Sequence, residues 1–490
     1  MPVTAIGDGA FSACYNLTSA IIPAGVTTIG DSAFFWCSSL TSVTIPASVT
    51  SIGKGAFAWC PNVTLTVVSG SYAEQYAAKN NLAYTAVEAL TEEAAEPLEE
   101  TAAAVEGTHQ SWDYKYTVLA DGTAEITGYS GEATELRIPA TLDGMTVSRI
   151  GSKAFRKCSS LTSVTIPAGV TSIGDYAFGY CIGLTSAAIP DSVTRIGDYA
   201  FYYCSRLASV TIPARLTSIG DNAFYFCRSL TSITIPASVT SIGDSMFSGC
   251  TSLTSVTIPD SVTSIGDAAF SYCESLTSVT IPDSVAEIGA NPFVGCSSLA
   301  SIKVSSGHSA FEIIDGVLFS KADRCLICYP LSRMDAGYSI PQGTANIGRS
   351  AFSGCSKLTS VTIPGSVTSI GESAFSRCES LTSVTIPGSV TSIGDEAFAW
   401  CSSLTTINIP DSVTSIGNWA FSDCSSLTSV TIPDSVTSIG YAAFASCKSL
   451  TSVTIPESVT SIEAEVFDGC HNLTLTVGSG SYAEQYAIEY

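Results

Sequence analysis

Acid–base, nucleophilic or metal chemistry would have to start from three histidines, His109, His308 and His471, each in a different nonrepeating stretch of the chain. A Ser-His-Asp set or a histidine metal site needs partners converging on the imidazole, and these isolated positions supply few. The eighteen cysteines are a larger stock. Cys325 and Cys328 make a lone CxxC within RCLICYP, a run that reads as a strand, whereas a zinc or redox site needs a second ligand pair or a helix N-terminus. Every other cysteine recurs at one place in a repeated phrase, from Cys14, Cys37 and Cys60 through Cys158 to Cys296 and from Cys355 to Cys470. Side chains at equivalent places on neighbouring strands point the same way, so these thiols read as buried free cysteines acting as small hydrophobes. With no GxGxxG or Walker-type loop either, no catalytic residue, metal or cofactor is expected.

Aromatic and arginine residues offer a different chemistry, that of recognition. The residue before the repeated cysteine is aromatic at Tyr180, Tyr203 and Phe226 in three successive repeats, with Tyr176, Tyr199, Tyr202 and Tyr225 close by. Arg206 and Arg228 follow the cysteines of two of these repeats, and Trp36, Trp59 and Trp400 take the aromatic place elsewhere. Tyr and Arg concentrated on a surface of low charge match protein-interface hot spots; stacked aromatics equally suit sugar rings, or simply shield one another. The hydroxyl residues of the repeat, such as Ser255 and Thr257, form outward rows that read as a solvated strand face or, less simply, as an ice-contacting one.

The elements that must position these residues follow from the phrase itself. Residues 253–275 read LTSVTIPDSVTSIGDAAFSYCES, and near copies begin at Leu161, Leu184, Leu207, Leu230 and Leu276 and again at Leu358, Leu381, Leu404, Leu427 and Leu450, a period of 23 residues. A fixed period of this size marks a solenoid, in which one unit cannot bury its own apolar face and stacking supplies the core. Counting from Leu253 as position 1, LTSVTI predicts a strand closed by Pro259; SVTSI predicts a second extended piece with Val262 and Ile265 inward; Gly266 allows a sharp turn; and DAAFSYC predicts a short helical turn carrying Phe270 and Cys273 into the core.

This ruler resembles the leucine-rich repeats of the BspA type, also called the Treponema pallidum type, with the pattern LxxLxLPxxLxxIGxxAFxxCxxL. The likeness covers most of the chain; Ala187, Met246, Pro292 and Glu463 are local departures. It implies a right-handed curved leucine-rich repeat solenoid with a parallel β-sheet on the concave side, carried by secreted or surface proteins of bacteria and some protists, with binding or adhesion as the usual role and no catalytic residues.

Interruptions of the ruler divide the chain. Residues 1–87 read as a first array starting inside a coil, since Ile6-Gly7 falls at position 13, which suggests a piece of a longer exported protein. Helices from Tyr72 to Lys79 and from Tyr482 to Ile488 are expected to cap the two arrays. Residues 88–107 are an acidic Ala/Glu-rich linker, and residues 108–490 a second array with an opening cap at 108–148, an insertion at 299–341 and a closing cap at 471–490. Within the insertion, Ile313, Asp315-Gly316 and Val317-Leu318-Phe319 predict one or two β-hairpins projecting from an enlarged coil, as a longer repeat or as a binding arm.

Composition narrows the partners. Hydrophobic residues at 46% and charged residues at 13% fit a long buried core, and a net charge of -23 opposes nucleic-acid binding. No apolar run is long enough to insert in a membrane. The expectation is a non-enzymatic secreted or cell-surface scaffold binding a protein ligand, such as a host or matrix surface protein. A glycan-binding module beside carbohydrate-active enzymes, or a passive spacer, is the alternative.

Overall fold

The computed structural model describes residues 4–7, 10, 11, 14, 17–30, 33–35, 37, 40–58, 60, 63–80, 82–87 and 109–489; Trp36, Trp59 and the Ala/Glu-rich run 88–107 lie outside them. The chain divides into two compact units, Met1–Ala102 and Ala103–Tyr490.

Each regular coil contributes two strands. Ser255–Thr257 pairs parallel and in register with Ser232–Thr234, placing Val256 on Ile233. The second extended piece, Ser264–Ile265, forms its own parallel ladder between Ser241–Ile242 and Glu287–Ile288. Register is held because a slip of one residue would turn the apolar set outward. The longest sheet of the first kind has seven strands, from Gly337–Ser339 to Thr474–Val477. Between the ladders, Val262, Phe270, Cys273 and Leu276 are fully buried, and phenylalanine rings stack coil on coil, as at Phe247–Phe270 with centroids 5.5 Å apart. Burying one such side chain contributes about 1.5–3 kcal/mol, and the repeat multiplies it.

Hydroxyls, thiols and carboxylates of the ruler satisfy the backbone between coils. Thr254 and Thr263 donate to the carbonyls of Thr231 and Thr240 at 3.2 and 3.1 Å. The thiol of Cys273 donates to the Phe247 carbonyl at 3.2 Å, and the same bond recurs along the stack, for example Cys424 to Phe398. A cysteine therefore does what alanine or valine could not, giving a buried carbonyl a second donor. At the corner, the Asp221 carboxylate accepts the Asp244 N–H at 2.9 Å and fills the space beside Gly243, where a Cβ would strike it and no backbone atom.

A short helix packs on the core of each unit. Helix α1, Tyr72–Lys79, is capped by the Ser71 hydroxyl, which accepts the Glu74 N–H, while the Glu74 carboxylate accepts the Gly70 N–H at 2.6 Å. Helix α2, Tyr482–Glu489, repeats the arrangement through Ser481 and Glu484. Ala73 and Ala77 of α1, and Ala483 and Tyr486 of α2, are buried on the cores they cover. At the start of the second unit, His109–Ser111, Tyr114–Val118 and Ala124–Tyr129 form an antiparallel meander, whose last strand pairs parallel with Met145–Ile150 and so opens the second ladder.

The insertion does not project. Phe311–Ile314 pairs antiparallel with Val317–Ser320, which pairs antiparallel with Cys325–Cys328, and that strand joins the second ladder beside Asn346–Ile347. Alternating side chains then face two directions: Phe311, Leu318 and Ile327 pack on the core before the insertion, while Val317, Phe319 and Leu326 pack on the core after it. Apolar residues on both faces of these strands force them into the stack, as a partition shared by two cores.

Candidate interaction surface

The predicted short helical turn is absent. Positions 16 and 20 of the coil have positive φ, 53° at Tyr176, 62° at Tyr180, 56° at Tyr199, 57° at Tyr203 and 58° at Phe226. Such residues interrupt a right-handed helix, and for a non-glycine each costs about 1–3 kcal/mol. The offset comes from the next coil: the N–H groups of Tyr176, Phe178 and Tyr180 donate to the carbonyls of Asp198, Ala200 and Tyr202 at 2.9, 2.8 and 2.6 Å. This third inter-coil ladder holds alternate N–H groups toward one end of the array. Gly249, with φ +73°, takes the position-20 conformation without that strain, and a Cβ there would strike the Phe226 ring that lies over it.

On this ladder the sequence-picked aromatics do come together. Tyr176 and Tyr199 stack with centroids 4.5 Å apart; Tyr180, Tyr203 and Phe226 form a run at 5.5 and 4.9 Å; Tyr202 and Tyr225 stack at 5.1 Å. Tyr202 also meets Tyr180 edge-on at 5.2 Å, which ties the rows into one patch. All seven rings are half-buried, so they are packing as well as surface. Burial raises the phenols of Tyr202 and Tyr225 and pushes Tyr176 up to about 12, which keeps them neutral donors near pH 7.

Arginine closes the patch at both ends. The Arg228 guanidinium lies 4.9 Å from the Phe226 ring, and Arg206 is exposed nearby in sequence. At the other end Arg156 covers Tyr176 at 5.6 Å and Tyr180 at 5.4 Å. Arg156 was not anticipated, because its coil lacks the LTSVTI opening; counting back from Cys158 puts it at position 19, the place of Tyr202 and Tyr225. A smaller version recurs later, with Arg377 over Trp400 at 4.8 Å.

The other chemically able residues stay apart. His109 lies on the opening meander against Tyr116, His471 is exposed, and His308 is buried with Nε2 on the Pro282 carbonyl and Nδ1 accepting the Ala310 N–H. Cys325 and Cys328 share one strand, whose pairing is interrupted between Leu326 and Cys328; Cys328 is buried on the core before the insertion and Cys325 is half-buried. The described cysteines are free; burial pushes the thiols of Cys250 and Cys296 up to about 12. Among the described residues no group of three His, Cys, Asp or Glu is placed to hold a metal, and no helix is long and apolar enough to cross a membrane.

The BspA type leucine rich repeat region family model matches residues 3–87, 129–251, 217–323 and 339–474. The chain belongs to this family. Its fold is that of a leucine-rich repeat scaffold. Among solved structures, the chain is similar to a leucine rich cell surface protein of Faecalibacterium prausnitzii, at 37% identity and TM-score 0.61, covering 79% of this chain and 98% of that one. A leucine-rich repeat protein of Eubacterium ventriosum is 26% identical with TM-score 0.53, over 76% of this chain and 90% of that one. The pneumococcal vaccine antigen PcpA shares the fold at 24% identity and TM-score 0.55, over 78% of this chain and 96% of that one. No curated protein matches the chain.

Proposed function

We propose that this protein is a non-enzymatic scaffold, secreted or displayed at a cell surface, that binds a protein ligand, as an adhesin does, through the patch formed by Tyr176, Tyr180, Tyr199, Tyr202, Tyr203, Arg206, Tyr225, Phe226 and Arg228, now with Arg156. Its likeness to a cell surface protein of F. prausnitzii supports the location. The observation that carries the reading is how the rings are used. A sugar packs its C–H face on an open aromatic face, yet here the faces are turned on one another at 4.5–5.5 Å and the ends are covered by Arg156 and Arg228. What such a stack offers outward is ring edges and guanidinium groups, the contacts of a protein interface.

A random peptide library selected on the wild-type protein tests this. Enriched clones should bind the wild type and lose binding to the Tyr180→Ser/Tyr203→Ser/Phe226→Ser variant. Because those rings are half-buried, the variant is checked by circular dichroism and melting, and Tyr180→Phe/Tyr203→Phe/Tyr225→Phe, which keeps the stacks, should weaken the same clones. Clones that never distinguish wild type from either variant, or neutral oligosaccharides that bind at the patch, would overturn the proposal.

A further inference from the structure

Basic residues are not spread evenly along this acidic chain. Residues 137–228 hold nine of the 20 Lys and Arg but only five of the 43 Asp and Glu, so this segment is net positive and the remainder strongly negative. The aromatic patch lies within it. The ion pairs of the second unit are Arg333–Asp335 at 2.6 Å and Arg349–Glu372 at 2.8 Å, so Arg156, Arg206 and Arg228 have no carboxylate partner among the described residues.

The geometry points to an acidic peptide segment of the partner protein, one mixing carboxylates with apolar side chains, as the occupant of this surface. The inference rests on the patch being the binding surface. An aromatic ring is negative on its face and positive at its edge, so a stack with occupied faces turns positive edges outward. Arg156 and Arg228 lie over rings, an arrangement that holds the planar guanidinium in place and reduces the freedom lost when its N–H fork meets a carboxylate bidentately. Edges and forks thus favour the same sign of partner, and the negative remainder of the molecule directs such a segment to this one region by repulsion elsewhere. Half-buried rings between the arginines give apolar side chains of the same segment somewhere to pack.

Two synthetic peptides of equal length, one alternating Glu with Leu and one alternating Gln with Leu, separate charge from shape. The Glu peptide should bind the full chain, weaken as salt is raised, and weaken about tenfold or more on the Arg156→Gln/Arg206→Gln/Arg228→Gln variant, whose aromatic stacks are intact. Equal binding of the Gln peptide, an unchanged affinity in the arginine variant, or binding of a sulfated oligosaccharide in place of the Glu peptide would each overturn the inference. The peptide library keeps the two claims apart. Clones that need the rings but are not acidic sink the acidic partner and leave the interaction surface standing; the absence of any ring-dependent clone sinks both.

Discussion

At the scale of single residues, the ruler assigns the same task to each letter in every coil, which makes the tasks separable by experiment. Gly243 is the clearest case. A Cβ there would clash with the Asp221 carboxylate, while the nearest backbone atom, the Asp221 Cα, stays at ordinary van der Waals distance, 3.5 Å, so Gly243→Ala should destabilise by about 1–3 kcal/mol, as overpacking does. Asp221→Ala should recover most of that loss in the double variant despite losing its own bond to the Asp244 N–H, and equal, additive losses in chemical denaturation would refute the corner geometry. The thiols allow a second test. Ruler cysteines inside the stack are buried and raised, Cys250 to about 12, so they should resist alkylation in the native state at pH 8. Half-buried Cys14, Cys158 and Cys470 should react first in a mass-spectrometric time course.

At the scale of elements, the inserted hairpins decide how the second unit holds together. Val317 and Leu318 are neighbours in sequence but belong to different cores. In a solenoid, stability is close to a sum over adjoining coils, so damage stays near its origin. Leu318→Ala should cost about 2–5 kcal/mol and lower hydrogen-exchange protection chiefly in coils before residue 299, whereas Val317→Ala should do so chiefly in coils after residue 341. Loss of protection on both sides from either change would mean that the partition is not a partition. The capping helices and the hairpin strands were legible in the sequence because serine-glutamate pairs and Asp-Gly are local signals. The docking of the hairpin was not, since it depends on apolar residues on both strand faces finding a coil on either side.

At the scale of the whole molecule, the two units have separate cores, and the acidic run 88–107 is proposed to link them. A glutamate-specific protease should cut there first and release two fragments that each keep their own cooperative melt; a single cut product that unfolds would argue against independent units. What the sequence by itself determined is the period, the inward letters, the parallel in-register stack and the place of the cysteines, because all of these are fixed within one coil and repeated. The tertiary structure decided what depends on two coils at once. Position 16 and 20 residues are left-handed because their own N–H groups donate to carbonyls 22 residues on in the next coil, such as Tyr180 to Tyr202. Local propensity reads the same letters as a helical turn. Likewise the sequence named Tyr176 through Arg228 as aromatic and basic, but only the stacking of coils turned their faces inward on each other and brought Arg156 over Tyr176 and Tyr180. Ring orientation is set by contact across the stack, and no spacing within one repeat encodes it.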